Sequence, residues 1–185
     1  DLGVGDVGHW QGAHSIHDRF QDHGMGTLLT LARSRKHQID VIPIPALHSW
    51  AEYRMLVKPY DVIMMNVRSW RYGYAKRAAH IAKMANPNIQ VWVGGFHATV
   101  ARQEMEDVED FDVIVSREAE ATFLQLVNAG GSPDGQRFIE GSPGAYRDMD
   151  LLPFVDRTIW PKPPGDAWPL ESPGGWGPGS ASISL

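Results

Sequence analysis

From residue 25 onward the apolar positions alternate between helical and strand-like spacing. MGTLLTLARSRKH sets Met25, Leu28, Leu29 and Ala32 on one helical face and ends in basic residues, which complement the negative end of a helix dipole. QIDVIPI is short and apolar, with Pro43 and Pro45 as stops, and predicts a strand. SWAEYRMLVK predicts a short amphipathic helix, and DVIMMNV an apolar strand. RYGYAKRAAHIAKMA predicts a longer helix halted at Asn86-Pro87. NIQVWV reads as the next strand, TVARQEMEDV as a helix, FDVIV as a strand, and EATFLQLVNAGG as a helix closed by glycines.

Strands separated by helices of this length predict right-handed βαβ units and a parallel sheet. DVIMM, VWV and DVIV are continuously apolar, as strands covered on both faces are. An opening strand is expected to end at DLGVG, which completes a doubly wound, five-stranded parallel sheet over residues 1–130, an α/β fold of the Rossmann-like or flavodoxin-like kind. Residues 131–185 differ in character, with nine of the 13 prolines and nine of the 19 glycines. Their backbone must be largely extended or turned. Trp160, Trp168 and Trp176, with the apolar words LLPF and TIW, favour a linker packed along another surface.

Composition narrows the classes. The chain is 43% hydrophobic and 21% charged, ordinary for a globular domain, and its net charge of -5 argues against a dedicated nucleic-acid surface. The absence of cysteine excludes disulfides, zinc-thiolate sites and an iron–sulfur cluster held by these residues. No apolar run reaches the roughly 20 residues that span a bilayer, and no signal peptide is visible. A cytoplasmic location, with no membrane or nucleic-acid partner, is the expectation. Asp1 and Leu185 are read as cuts through a longer chain.

In open parallel sheets ligands lie beyond the carboxyl ends of the strands. Those ends here carry GDVGHWQGAHSIHDRFQDHG, NVRSW, GGFHAT and SREAE. Gly94 and Gly95 let a ligand approach main-chain N–H groups, although a tight strand-to-helix turn uses glycine equally well. The long first loop, of a length that is commonly functional or disordered, tips the balance toward a site. That loop holds His9, His14, His17 and His23 among Asp6, Asp18 and Asp22. Imidazole with carboxylate suits zinc or non-haem iron, but these spacings match no standard metal motif. No GxGxxG opens a helix, no GxxxxGK[ST] is present, and GxSxG does not occur.

Five words in order resemble the N-terminal cobalamin-binding domain of cobalamin-dependent radical SAM enzymes. They are the helix word GMGTLLTLARSRKHQIDVI, the GGxHAT-type word Gly94 to Thr99, the GEGExTF-type word within Ser116 to Phe123, PGAYRD at 143–148 and DLLPFVDR at 150–157. The chain departs from the family at Ser116-Arg117 and Ala119, which replace the two glycines of GEGE, and at Phe96, where proline is frequent. The CxxxCxxC cluster motif is missing, and in the family it follows a strand similar to SASISL.

The resemblance implies bound cobalamin, held by Asn66, Val67, Arg68 and Ser69, by Gly94, Gly95, Phe96 and His97, and by Ser116, Arg117, Glu118 and Glu120. In the first loop it implies His9 and Gly12: Asp6 to Gly12 contains HxxG, as the methionine-synthase-type DxHxxG does, but with the Asp one residue too far away. His9 is thus a candidate lower ligand to cobalt, with Asp6 as its partner. No catalytic residue is expected in this segment. The implied parent carries a [4Fe–4S] cluster and S-adenosylmethionine in a barrel that residues 131–185 lead into, and uses methylcobalamin for radical-based methyl transfer. Two rivals stand beside this reading: a stand-alone cobalamin sensor or carrier, and the same fold without cobalamin as a structural domain.

Overall fold

The computed structural model describes residues 22–42, 44 and 47–159. Helix α1 (His23–Ser34) starts at Asp22, whose carboxylate accepts from the Met25 N–H at 2.9 Å and so satisfies one of the free donors of the first turn. Ser49 caps α2 (Trp50–Val57) in the same way, through the Glu52 N–H. Strand β1 (Val62–Asn66) leads to α3 (Tyr72–Ala85), β2 (Gln90–Gly94), the short α4 (Phe96–Val100) and α5 (Arg102–Glu106), then β3 (Val113–Arg117) and α6 (Glu120–Ala129). The left-handed Gly130 ends α6 and accounts for that terminal glycine pair.

The sheet has four strands among the described residues, β1, β2, β3 and β4 (Phe138–Gly141), in the order β1-β2-β3-β4, and every pair is parallel. Alternate residues of each strand feed two cores. Val91, Val93 and Ile114 pack with Tyr53 and Val57 of α2 and with Ala75, Ala78, Ala79 and Ala82 of α3. The alanines fall at i, i+3, i+4 and i+7, a smooth stripe that lets the helix approach the sheet closely. Trp92, Val113 and Val115 face the other way, onto Ala32 of α1 and Phe123 and Leu126 of α6. Helices therefore cover both faces, as the doubly wound pattern predicts.

Three expectations change. QIDVIPI is not a strand, for residues 37–42 hold no ladder, although Ile39 and Ile42 still bury part of their surface on the two cores. A strand exists only with a partner, and its expected neighbour, ending at DLGVG, lies outside the described residues. The fourth strand, β4 (Phe138–Gly141), comes instead from the Pro/Gly-rich segment and pairs Ser116 with Glu140 and Arg117 with Gly141. TVARQEMEDV, read as one helix, is broken at Ala101, where φ is -131° and ψ is 52°.

Beyond β4 the chain turns through short 3-10 segments and returns across α1. The Asp156 N–H donates to the buried Thr30 Oγ1 at 2.9 Å, Arg33 pairs with Asp156 at 3.1 Å, and Ile159 is buried. Among the described residues no helix is long and apolar enough to cross a membrane.

Candidate functional site

The carboxyl ends of β1 and β2 frame an open crevice of about 510 Å³, lined by Asn66, Arg68, Ser69, Trp70, Gly95 and Phe96. Five of these six were singled out from the sequence. Trp70 was not, although it is 59% exposed and, with Phe96 at 65%, supplies the apolar flanks.

The crevice takes its shape from Gly95. Its φ of 96° and ψ of -167° lie in a region open essentially to glycine alone. A Cβ on residue 95 would come within 1.9 Å of Asn66 Oδ1. The bare backbone is thus required twice, by torsion and by space. Gly94 serves a different need, since a Cβ there would press on the Val115 carbonyl at 3.2 Å, so it permits close packing of β2 on β3.

Asn66 is oriented by a residue that sequence reasoning counted only as a loop acid. Its Nδ2 donates to Asp22 Oδ2 at 2.5 Å, and Arg68 stands 3.6 Å from the same oxygen. Asp22 therefore caps α1 and ties it to the crevice; an acid directly before a helical pattern was the available signal. Asn66 Oδ1 is buried and has no partner among the described residues.

Val67 and His97 stand behind the crevice rather than in its lining. The Val67 N–H donates to the Gly94 carbonyl, and the His97 N–H donates to the Val67 carbonyl, which lock the β1 and β2 ends together. The His97 ring is buried against Tyr72 at 4.5 Å, with Nδ1 3.1 Å from Ser69 Oγ and Nε2 3.6 Å from Glu104 Oε2. Burial, then the carboxylates of Glu104 and Asp107, hold the Tyr72 hydroxyl above its ordinary pKa.

The SREAE turn lies at the next strand end and is not part of this lining. Ser116 is buried, Glu118 and Arg117 are on the outside, and Glu120 Oε2 is buried without a partner among the described residues. Arg117 has a φ of 60°, its N–H donates to Thr99 Oγ1 at 2.9 Å, and its guanidinium meets Glu140 at 3.0 Å. Thr99 thus links the turn to α4. Gly141, another residue missed, lets β4 pass this turn: a Cβ there would lie 2.3 Å from the Glu118 carbonyl oxygen. His9 and Gly12, like most of the first loop, lie outside the described residues. Among the described residues no group of three potential ligands could hold a metal ion.

A larger open hollow of about 650 Å³ between α3 and α5 lies away from the strand ends. Its charges are engaged with one another and with Tyr72, as His80 with Asp110 at 3.1 Å and Lys76 over the Tyr72 ring show.

A doubly wound parallel sheet with a glycine-bared crevice at its carboxyl edge defines a ligand-binding α/β domain of the open-sheet class. Residues 4–127 match the B12 binding domain family, and the chain belongs to that family. No curated protein matches it. One solved structure, the N-terminal domain of a hypothetical protein from Thermotoga maritima, is similar at 14% identity and a TM-score of 0.48, covering 66% of this chain and 94% of that one.

The crevice residues fit a corrinoid. Trp70 and Phe96 offer apolar flanks, Gly95 leaves room beside the main chain, and Asn66 Oδ1 is an acceptor still to be satisfied.

Proposed function

We propose that the chain is the cobalamin-binding domain of a radical SAM enzyme, and that it presents methylcobalamin for methyl transfer to a substrate radical. Asn66, Arg68, Ser69, Gly95 and Phe96 hold the cofactor at the β1 and β2 ends, with Val67, Gly94 and His97 behind them. Ser116, Arg117, Glu118 and Glu120 make the adjoining wall, and His9 and Gly12 of the first loop also take part in binding. Bound cobalamin supplies the methyl carrier; the protein binds it, orients it and shields one side from water. Residues 1–130 are the binding domain proper. Residues 131–185, with β4 added to the sheet edge, lead toward the barrel that holds the [4Fe–4S] cluster and S-adenosylmethionine. A reducing cytoplasm is the compartment in which such a cluster persists.

The observation that carries the cobalamin reading is the Gly95 crevice within a chain of the B12-binding family. The radical SAM reading is supported by the five words in order, from GMGTLL to DLLPFVDR. Equilibration with hydroxocobalamin, desalting and recording of the corrin visible spectrum tests the first; loss of all corrin absorbance overturns it. The second is tested on the full-length protein, where a CxxxCxxC segment soon after Leu185 is expected and its absence overturns the assignment.

A further inference from the structure

Two polar side chains of the crevice have their hydrogen-bonding sense set from behind. The buried His97 ring stands between Ser69 Oγ at Nδ1 and Glu104 Oε2 at Nε2. A neutral imidazole carries one N–H; Nε2 is buried with no hydrogen-bond partner among the described residues, and the Glu104 carboxylate 3.6 Å away favours the proton there, because the alternative turns a lone pair toward negative charge. Nδ1 is then an acceptor. The Ser69 hydroxyl donates to it and leaves its own lone pairs for the crevice. Asn66 is fixed from the other side: its Nδ2 donates to Asp22 Oδ2, a carboxylate that can only accept, so the amide cannot flip without setting acceptor against acceptor. Its Oδ1 stays without a partner among the described residues. Ser69 Oγ and Asn66 Oδ1 thus offer acceptors, in a crevice whose side-chain donors are Arg68 and Trp70.

We propose that Ser69 and Asn66 form an acceptor pair that takes the N–H of a ligand carboxamide, with His97, Glu104 and Asp22 as the positioning residues that set this polarity. The proposal rests on the cobalamin reading above and deepens it. A corrin rim carries neutral carboxamides whose NH2 groups donate, whereas a carboxylate in the same place brings acceptor against acceptor. Arg68 is the nearby cation, and its charge is partly offset by Asp22 at 3.6 Å.

The test compares hydroxocobalamin with its three derivatives in which one peripheral propionamide is hydrolysed to propionate, titrated into the full chain and followed by the corrin spectrum. The expected result is binding of hydroxocobalamin and at least about tenfold weaker binding of one derivative, the cost of an unmade bond plus a buried charge facing lone pairs. Ser69→Ala is expected to weaken hydroxocobalamin binding about three- to tenfold and to erase most of that discrimination, while Ser69→Thr restores both. A second readout needs no ligand: imidazole 15N shifts of His97 are expected to report the Nε2-protonated tautomer, and Glu104→Gln to shift them toward a mixture. Equal binding of all four corrinoids, unchanged discrimination in Ser69→Ala, or an Nδ1-protonated His97 each overturns the acceptor pair and leaves the cobalamin reading standing. Failure of hydroxocobalamin itself to bind overturns that reading and this inference with it.

Discussion

Replacing Gly95 by alanine isolates what shapes the crevice. The backbone there, at φ 96° and ψ -167°, costs a residue with a Cβ about 1–3 kcal/mol. The new methyl also lands 1.9 Å from Asn66 Oδ1 and 3.1 Å from the Val67 nitrogen, and of these only the Asn66 side chain can move. When it moves, the 2.5 Å bond from Asn66 Nδ2 to the Asp22 carboxylate breaks. A hydrogen bond to a charged group contributes about 1.5–3 kcal/mol, and the lower half of that range applies because Asp22 is part-exposed. The sum is about 2.5–5 kcal/mol, a large share of the roughly 5–15 kcal/mol that holds a domain folded.

Urea denaturation followed by far-UV circular dichroism measures it, with an unchanged m-value as the check that only stability moved. The double-mutant cycle separates the two causes. In an Asn66→Ala background the clash is gone and only the backbone strain remains, so Gly95→Ala should cost about 1.5 kcal/mol less than in the wild type. A Gly95→Ala protein within about 0.5 kcal/mol of wild type refutes the account, and strict additivity of the pair refutes its steric half.

Other substitutions probe the rest of the fold. Arg117 holds a left-handed backbone, so Arg117→Gly should be about 1 kcal/mol more stable than Arg117→Ala in the same urea assay, both having lost the exposed Glu140 pair; an Ala variant as stable as Gly argues that the turn relaxes. Gly141→Ala drives a methyl into the backbone carbonyls of Glu118 and Ser116 and should cost at least about 2 kcal/mol, seen as a lower Tm and faster proteolysis between β3 and β4. The buried Tyr53 hydroxyl has no partner among the described residues, so Tyr53→Phe should hold or raise stability by up to about 1 kcal/mol; a clear loss would reveal a hidden partner.

The Thr158 hydroxyl and backbone N–H hold the Asp156 carboxyl below its ordinary pKa, with Arg33 adding to the shift. A depressed folded pKa gives stability that is present above the unfolded value, near 3.9, and lost as pH falls through the lower folded value. Hydrogen-exchange protection of residues 155–159, taken relative to the intrinsic rate at each pH, should therefore fall below about pH 4, and Asp156→Asn should remove that pH dependence.

The helices α1, α2, α3 and α6 and three of the four strands were legible because each is long enough to display its own period, whereas the five-residue α4 and α5 were read as one helix. The alanine stripe of α3 and the apolar run of β2 need no tertiary information. β4 was not legible, since FIEG sits among glycines and prolines with too few residues to show alternation, and only the open edge of β3 makes it a strand. QIDVIPI erred the other way: it was read as a strand, and its isoleucines do pack partly against the cores, but packing does not supply a ladder partner. In the site, the sequence marked Asn66, Arg68, Ser69, Gly95 and Phe96 because strand ends and glycines are local signals. Asp22, Glu104 and Thr99 escaped notice because their roles are contacts across 44, seven and 18 residues of chain, respectively.

The departures of the SREAE turn from GEGE now have unequal weight. The first glycine position of that word falls on Arg117, and there the backbone is left-handed, a conformation for which glycine is suited. The second falls on Ala119, whose φ of -105° and ψ of -9° any residue adopts. Arginine at 117 therefore alters the outside of the turn, where its guanidinium meets Glu140, and leaves the N–H bound to Thr99 Oγ1 as the link to α4. Thr99 in turn lies within the helix that Gly95 opens. The two words read as separate along the chain are one backbone assembly, in which only Gly95 is irreplaceable by torsion and contact together, while Arg117 holds a left-handed backbone that glycine would adopt at less cost.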